Sequence, residues 1–533
     1  MTSLVQDFKS GVSLNANSAT RGVSDSIAAT LPRSFNVAAA LLQRNRERAA
    51  ARALICGDRS FTHGQLAEAV ARFAARLLAA GVRQEDRVAL LLPDGPELVI
   101  GILAAIWMGA VAVPINTAYS SETIEFILEE SRARALLIDE PGSARLSASL
   151  DSRLSIFGPA EVLAEHQIPM ASPAATYRDE PCLWLYTSGS TGRPKAVMHA
   201  HGSLPAAAEL YARRTLGLGS DDIIYSVAKL PFAYGLGASL YFPLWVGASV
   251  VLSNATQAFD YVADIHRYRP TVLFGIPSTY ESLLAVHELA PLDASSLRLC
   301  VAAAEPLPER TFERFRKRHG LAICEGFGTS EMLHIFISNS PDAPRAGWAG
   351  KPVTGYRLRV LGDNGREAAD GQPGLLEVEG ETLMLGYFNR LEQSRRAIRH
   401  GAMLTGDRCV RDQHGYFKYL GRVDDLFKVN GQWVTPNEIE SVLHEHPAVS
   451  ACAVLRDSDD ETAGVAAYVA LRDGYEASHQ LVLEIRSAAR AKLPGFMAPR
   501  RIEFVQHMPR TATGKIDRGA LQRLSKASEV FNG

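Results

Sequence analysis

Four-residue apolar runs such as Ser249 to Leu252 and Leu299 to Ala302, set between stretches of helical periodicity, constrain this chain more than any other feature. Runs this short and this apolar read as strands buried on both faces. The helical stretch Gly64 to Ala80 precedes the strand-like Arg87 to Leu92, and Tyr261 to Tyr268 precedes Thr271 to Phe274. Such alternation predicts parallel sheets covered by helices. Leu98 to Ile115 carries no charge, but Gly101 and Gly109 interrupt it and Pro114 closes it. It reads as a buried helix, a turn at Gly109 and a strand Ala110 to Val113, and not as a membrane span.

Near residue 345 the texture changes. From Arg357 to Tyr419, short strands alternate with the turns Gly362-Asp363-Asn364-Gly365, Asp370-Gly371 and Asp412 to Gly415, which predicts an antiparallel β unit. Beyond Gly421 to Asp425 the pattern mixes again. A helix is expected at Asn437 to His444, a strand at Ser450 to Leu455 and a helix at Ser478 to Lys492. A chain of 533 residues exceeds one hydrophobic core, and the boundary falls at Asp424 and Asp425. Residues 1–33, rich in Ser, Asn, Thr and Ala, read as a flexible leader without a signal-peptide core.

Net charge is -2, with both signs interspersed, so the basic footprint of a nucleic-acid binder is missing. Cys56, Cys182, Cys300, Cys324, Cys409 and Cys452 form no C-x-x-C pair, which argues against a disulfide framework or a zinc site. Scattered thiols fit a reducing cytoplasm.

The most specific chemical signal is Tyr186 to Val197, YTSGSTGRPKAV, directly after the apolar run Cys182 to Tyr186. A polyanion is held by backbone N–H groups, hydroxyl donors and a cation, and glycine lets the backbone approach it closely. Thr187, Ser188, Gly189, Ser190, Thr191, Gly192 and Lys195 supply all three. Pro194 before Lys195 excludes a Walker A loop, which needs glycine there. The full string resembles the signature of the adenylate-forming superfamily: acyl-CoA ligases, peptide-synthetase adenylation domains and luciferases. Ala196 stands where the family usually has glycine.

The resemblance runs in order over residues 35–520. Gly326 to Glu331, GFGTSE, is similar to the family's aromatic-Gly-x-Thr-Glu element. It implies that Gly326, Phe327 and Gly328 flank the adenine, that Ser330 (usually Thr) contacts phosphate, and that Glu331 holds Mg²⁺, a hard cation suited to carboxylate oxygen. Ala303 to Leu307 resembles the adenine segment, with Ala304, Glu305 and Pro306. Asp407 in LTGD matches the ribose-binding aspartate, Arg422 in GRVDD a ribose or phosphate contact, and Asp424 the hinge. Lys515 in PRTATGKIDR matches the catalytic lysine. Lys428 and Gly431, in KVNGQWVTPNEIE, match the face lining the coenzyme A tunnel.

This resemblance implies an α/β fold. Two doubly wound subdomains and a small β-barrel subdomain (about 345–423) make up an adenylation domain at 34–423, followed by a mobile α+β domain at 424–533. KLPFAYGLG (Lys229 to Gly237) and EMLHIF (Glu331 to Phe336) resemble the benzoate-CoA ligase branch, which commonly has Phe where Pro231 stands. Ala233, Tyr234, Gly235, His334 and Ile335 would then line a flat aryl pocket. Tyr234 and His334 suit a hydroxyl or amino substituent, so benzoate, hydroxybenzoates and anthranilate stay open. The implied activity is an ATP- and Mg²⁺-dependent aryl-CoA ligase of the cytoplasm that uses an aryl acid and coenzyme A. A homodimer, an aryl-AMP ligase loading a carrier protein and a non-catalytic aryl-acid binder remain alternatives.

Overall fold

The computed structural model describes residues 26–146, 154–187, 193–429, 432–457, 464–472, 474–510 and 516–523. Its first sheet runs Gly386–Tyr387, Lys195–Ala200, Pro181–Thr187, Val111–Pro114, Arg87–Leu91, Ala135–Ile138, Ser155–Phe157. Pairing is parallel from Pro181–Thr187 through Ser155–Phe157, and antiparallel at the Lys195–Ala200 and Gly386–Tyr387 end. The strands Val111–Pro114 and Ala135–Ile138 are buried at every residue, as strands covered on both faces are. The helix His63–Ala79 starts at a reciprocal cap between Thr62 and Gln65. The helix Pro96–Trp107 is buried except at Glu97. A Cβ on Gly101 would stand 2.5 Å from Leu137 and 2.6 Å from Leu90, so glycine lets this helix lie close on the sheet. The uncharged run is thus a core helix with the strand Val111–Pro114, and no described helix is long and apolar enough to cross a membrane.

A second sheet has a parallel core of Ile323–Gly328, Leu299–Ala302, Val272–Gly275, Ile223–Ser226, Ser249–Val251 and Arg52–Cys56, with antiparallel strands outside it. A buried polar lock joins the two sheets. Asp94, just past Arg87–Leu91, accepts from the Leu230 N–H at 3.2 Å. Lys229 donates to the carbonyls of Ser253 (2.8 Å) and Ala255 (3.1 Å). Burial pushes the Asp94 carboxyl up to about 6, against the pull of Lys229.

The antiparallel unit follows, with Arg357–Leu361, Pro373–Glu379, Ala402–Arg411 and Phe417–Arg422 paired in succession. Among the described residues its ladder stays open and does not close into a barrel. The turn Val423–Asp425 comes next. Beyond it, Val449–Arg456, Val465–Leu471 and Arg501–Phe504 form a separate mixed sheet. Ile439, Leu443, Leu481, Ile485 and Ala489 of the helices Pro436–His444 and His479–Arg490 share a core with it.

The leader expectation needs one correction. Ile27–Thr30 is helical with Ile27 buried, Arg178 N–H donates to the Arg33 carbonyl at 3.0 Å, and Ser34 bridges Tyr177. Apolar Ile27 has a place in the core, so the segment 26–33 packs on the domain. All six cysteines are free.

Candidate active site

Pro181–Thr187 and Lys195–Ala200 form a hairpin in which Thr187 pairs with Lys195. Ser188, Gly189, Ser190, Thr191 and Gly192 lie outside the described residues, as do Gly431 and Lys515. At the loop's base the Lys195 ammonium sits 4.3 Å from the ring centroid of Tyr387. The Tyr387 hydroxyl donates to Glu331 Oε1 at 2.7 Å. Burial lowers the Lys195 pKa. Glu331 and Asp424 raise it, and Arg422 and Arg390 lower it further. Cations from three segments thus converge where Glu331 and Asp424 supply the opposing charge, an arrangement suited to a polyphosphate with a cation.

Glu331 lies in the one-turn helix Ser330–Met332, capped by Thr329, whose side chain accepts from the Met332 N–H. Two further bonds hold this turn. His199 Nε2 donates to the Ser330 carbonyl at 2.7 Å, and Met384 N–H donates to the Glu331 carbonyl at 2.8 Å. Burial lowers the His199 pKa to about 4, so the ring is neutral.

Asp407 and Arg422 are register partners on adjacent strands, with the guanidinium 3.8 Å from a carboxylate that is 4% exposed. Burial opposes the Arg422 charge, but Asp407, Tyr419, Glu331 and Asp424 together raise its pKa above the ordinary value. Arg422 therefore links the Asp407 site to the Glu331 site. Phe327 stacks on Tyr419 at 5.3 Å and meets Phe336 edge-on at 5.5 Å. Gly326, Phe327 and Gly328 end one parallel strand of the second sheet, and Ala304, Glu305 and Pro306 follow its neighbour Leu299–Ala302. Ligands of α/β sheets bind beyond such carboxyl ends. The Ala304 backbone is left-handed, with φ 76°. Buried Glu325 accepts from the Leu307 N–H at 3.1 Å and so braces this segment.

Ala233, Tyr234 and Gly235 lie in the turn Ala233–Leu236, which runs into the π-helical stretch Gly237–Tyr241. His334 is buried among Phe242 (4.5 Å), Tyr211 (5.4 Å) and Tyr234 (5.7 Å), with Ile335 beside it in the same core. Burial lowers the His334 pKa to about 3. The donors of Tyr234 and His334 are both engaged within the protein, whereas His334 Nδ1 is buried without a hydrogen-bond partner among the described residues. The Tyr234 hydroxyl donates to the Gly275 carbonyl at 3.0 Å, with the Val301 carbonyl at 3.2 Å, and His334 Nε2 donates to the Tyr234 carbonyl at 3.2 Å. These donors are engaged inward, since a buried donor needs a partner.

The family model of AMP-binding enzymes matches residues 41–388, and that of the AMP-binding enzyme C-terminal domain matches 438–515. The chain belongs to the AMP-binding enzymes. It is 36% identical over 512 residues to a 4-hydroxybenzoate--CoA/benzoate--CoA ligase of Rhodopseudomonas palustris, covering 92% of this chain and 95% of the relative. Among solved structures, the anthranilate CoA ligase AuaEII in complex with anthranoyl-AMP superposes with a TM-score of 0.88 at 34% identity, over 94% of this chain and 99% of that one. A benzoate CoA ligase from Burkholderia xenovorans LB400 does so with 0.86 at 35%, over 91% and 99%.

Within this AMP-binding enzyme, the structure brings Lys195, Glu331 and Arg422 together and sets Asp407 against Arg422. Asp424 stands in the turn Val423–Asp425, and Lys428 is exposed in the hairpin after it. Arg510, before the Lys515 arm, lies 3.9 Å from Glu305. Sequence reasoning misses Tyr387, His199 and Arg390. The two histidines of Met198 to His201, beside the phosphate loop, are the one local signal that could have found His199.

Proposed function

We propose that this chain is an ATP-dependent aryl-CoA ligase, which turns benzoate into benzoyl-AMP and pyrophosphate, then into benzoyl-CoA and AMP. The observation that carries this reading is the convergence of Lys195, Glu331 and Arg422, with Asp407 on Arg422, at the loop that bears the phosphate signature. The relatives' names suggest the acid and the acceptor. A benzoate carboxylate is already ionised at neutral pH, so the first step needs no general base. It needs two anions held together, which makes catalysis a matter of positioning and charge stabilisation.

In this reading Lys195 and the loop hold the phosphates, Asp407 accepts from the ribose hydroxyls, and Phe327 offers the adenine a ring face. Lys515 enters from the C-terminal domain, and the Arg510–Glu305 pair supports its approach. Glu331 suits Mg²⁺, because a hard cation takes carboxylate oxygen. Bound there, the ion would neutralise phosphate charge. Losing one preorganised contact of this kind typically costs on the order of 3 kcal/mol.

After adenylation the C-terminal domain swings about Asp424, withdraws Lys515 and brings Lys428 and Gly431 to the coenzyme A path, which shields the mixed anhydride from water. Burying an aryl ring against this mostly apolar wall stabilises the complex by roughly 1.5–3 kcal/mol. For a ring hydroxyl or amine, the unpartnered His334 Nδ1 is the acceptor at hand. The test is coenzyme A ligation over a panel of aryl and alkyl acids. We expect turnover of benzoate or its hydroxy and amino derivatives, and negligible turnover of acetate and long-chain fatty acids. Turnover of the aliphatic acids with none of benzoate would refute the aryl reading.

A further inference from the structure

We propose that Tyr387 is a positioning residue that couples the phosphate-binding lysine to the metal-holding glutamate, an inference that rests on the ligase reading above. One side chain touches both. Its ring faces the Lys195 ammonium at 4.3 Å, within cation–π range, and its hydroxyl donates to Glu331 Oε1 at 2.7 Å.

The backbone around Tyr387 is fixed to the same two elements. Tyr387 pairs with Val197 on the strand that begins at Lys195. Leu385 N–H donates to the Met198 carbonyl at 2.8 Å, and Phe388 N–H to the Ala196 carbonyl at 3.0 Å. Met384 N–H donates to the Glu331 carbonyl, and Tyr387's own N–H to Ser394 Oγ at 2.9 Å. These bonds flank the two-residue edge strand Gly386–Tyr387 on both sides. Their effect is to hold the Tyr387 side chain between the two charged groups. With Oε1 occupied by the phenol, Glu331 presents Oε2 to a cation, while the ring face steadies Lys195 at the phosphates. Lys195 and Glu331 thereby keep a fixed relation, as a cation–phosphate pair bridging them requires.

The two halves of this role separate in two variants. Tyr387→Phe keeps the ring and loses the hydroxyl; Tyr387→Leu loses both. ATP affinity of the full-length protein is measured by titration calorimetry with EDTA and with excess Mg²⁺. For Tyr387→Phe, metal-free ATP binds within twofold of wild type, while MgATP binds about tenfold more weakly, or about 1.4 kcal/mol. For Tyr387→Leu both affinities fall. In a Glu331→Gln background, Tyr387→Phe has no further effect on MgATP, because the oxygen it orients no longer carries charge. The role is overturned if Tyr387→Phe leaves MgATP binding within twofold, weakens both forms equally or fails to unfold cooperatively. Retained metal-free affinity in Tyr387→Leu overturns the lysine half. A wild-type protein that binds no MgATP would instead sink the ligase reading itself.

Discussion

Gly237→Ala tests the aryl wall most sharply. A Cβ at this position would stand 2.4 Å from His334 Cδ2 and 2.6 Å from Nε2, against 3.4 Å or more for ordinary contact. The ring would have to move by roughly 1 Å, yet it is packed against Phe242, Tyr211 and Tyr234 and bonded to the Tyr234 carbonyl. Overpacking of a buried site costs about 1–3 kcal/mol, and the strained hydrogen bond adds about 1 kcal/mol. Part of this appears as lost stability and part as a displaced His334. We therefore expect kcat/KM for benzoate to fall about 10–100-fold in a coupled pyrophosphate assay, or about 1.4–2.8 kcal/mol. ATP affinity measured without acid stays within twofold, because the clash is confined to the aromatic cluster. In a His334→Ala background the same substitution has a smaller effect, since the two nearest contacts are gone and the Tyr241 hydroxyl at 3.0 Å remains. Benzoate kinetics within twofold of wild type, or an equal loss of ATP affinity, would refute this account of the wall.

Lys515→Ala should abolish adenylate formation yet leave thioester formation from supplied benzoyl-AMP nearly intact; equal failure of both half-reactions in a folded protein would count against the assigned role. Burial raises the Glu325 carboxyl to about 7 from an unfolded value near 4.5, with the Leu307 N–H opposing the shift. The folded state therefore holds the extra proton, and stability from this group is present below pH 4.5 and lost as pH rises toward 7, by about 3 kcal/mol. Glu325→Gln should raise the melting temperature relative to wild type at pH 8, with the gap closing toward pH 5; a gap independent of pH would contradict this.

The parallel core is legible in the sequence because strands such as Leu299–Ala302 and Val272–Gly275 are buried on both faces, which leaves no polar residue to blur the run. The open antiparallel unit is legible through its turns. The phosphate loop and the nucleotide segments declare themselves as contiguous strings of glycine, hydroxyl and charge. Tyr387 does not, because Gly386–Tyr387 is a two-residue edge strand with no period, and its partner Glu331 lies 56 residues away. His199 reaches Ser330 across 131 residues and looks like any apolar-strand histidine. The inward bonding of Tyr234 is likewise invisible, since its acceptors Gly275 and Val301 are backbone carbonyls that carry no signal in residue type. The π-helical stretches Ala208–Thr215 and Gly237–Tyr241 depart from the 3.6-residue period by which helices are recognised.

The claim on which everything else depends is that the convergent charges activate an aryl acid on ATP. Isotope exchange between pyrophosphate and ATP, run with benzoate and without coenzyme A, addresses it directly. The account predicts rapid exchange that requires benzoate and collapses in Glu331→Gln. Exchange that ignores benzoate, or survives loss of the Glu331 charge unchanged, would contradict it.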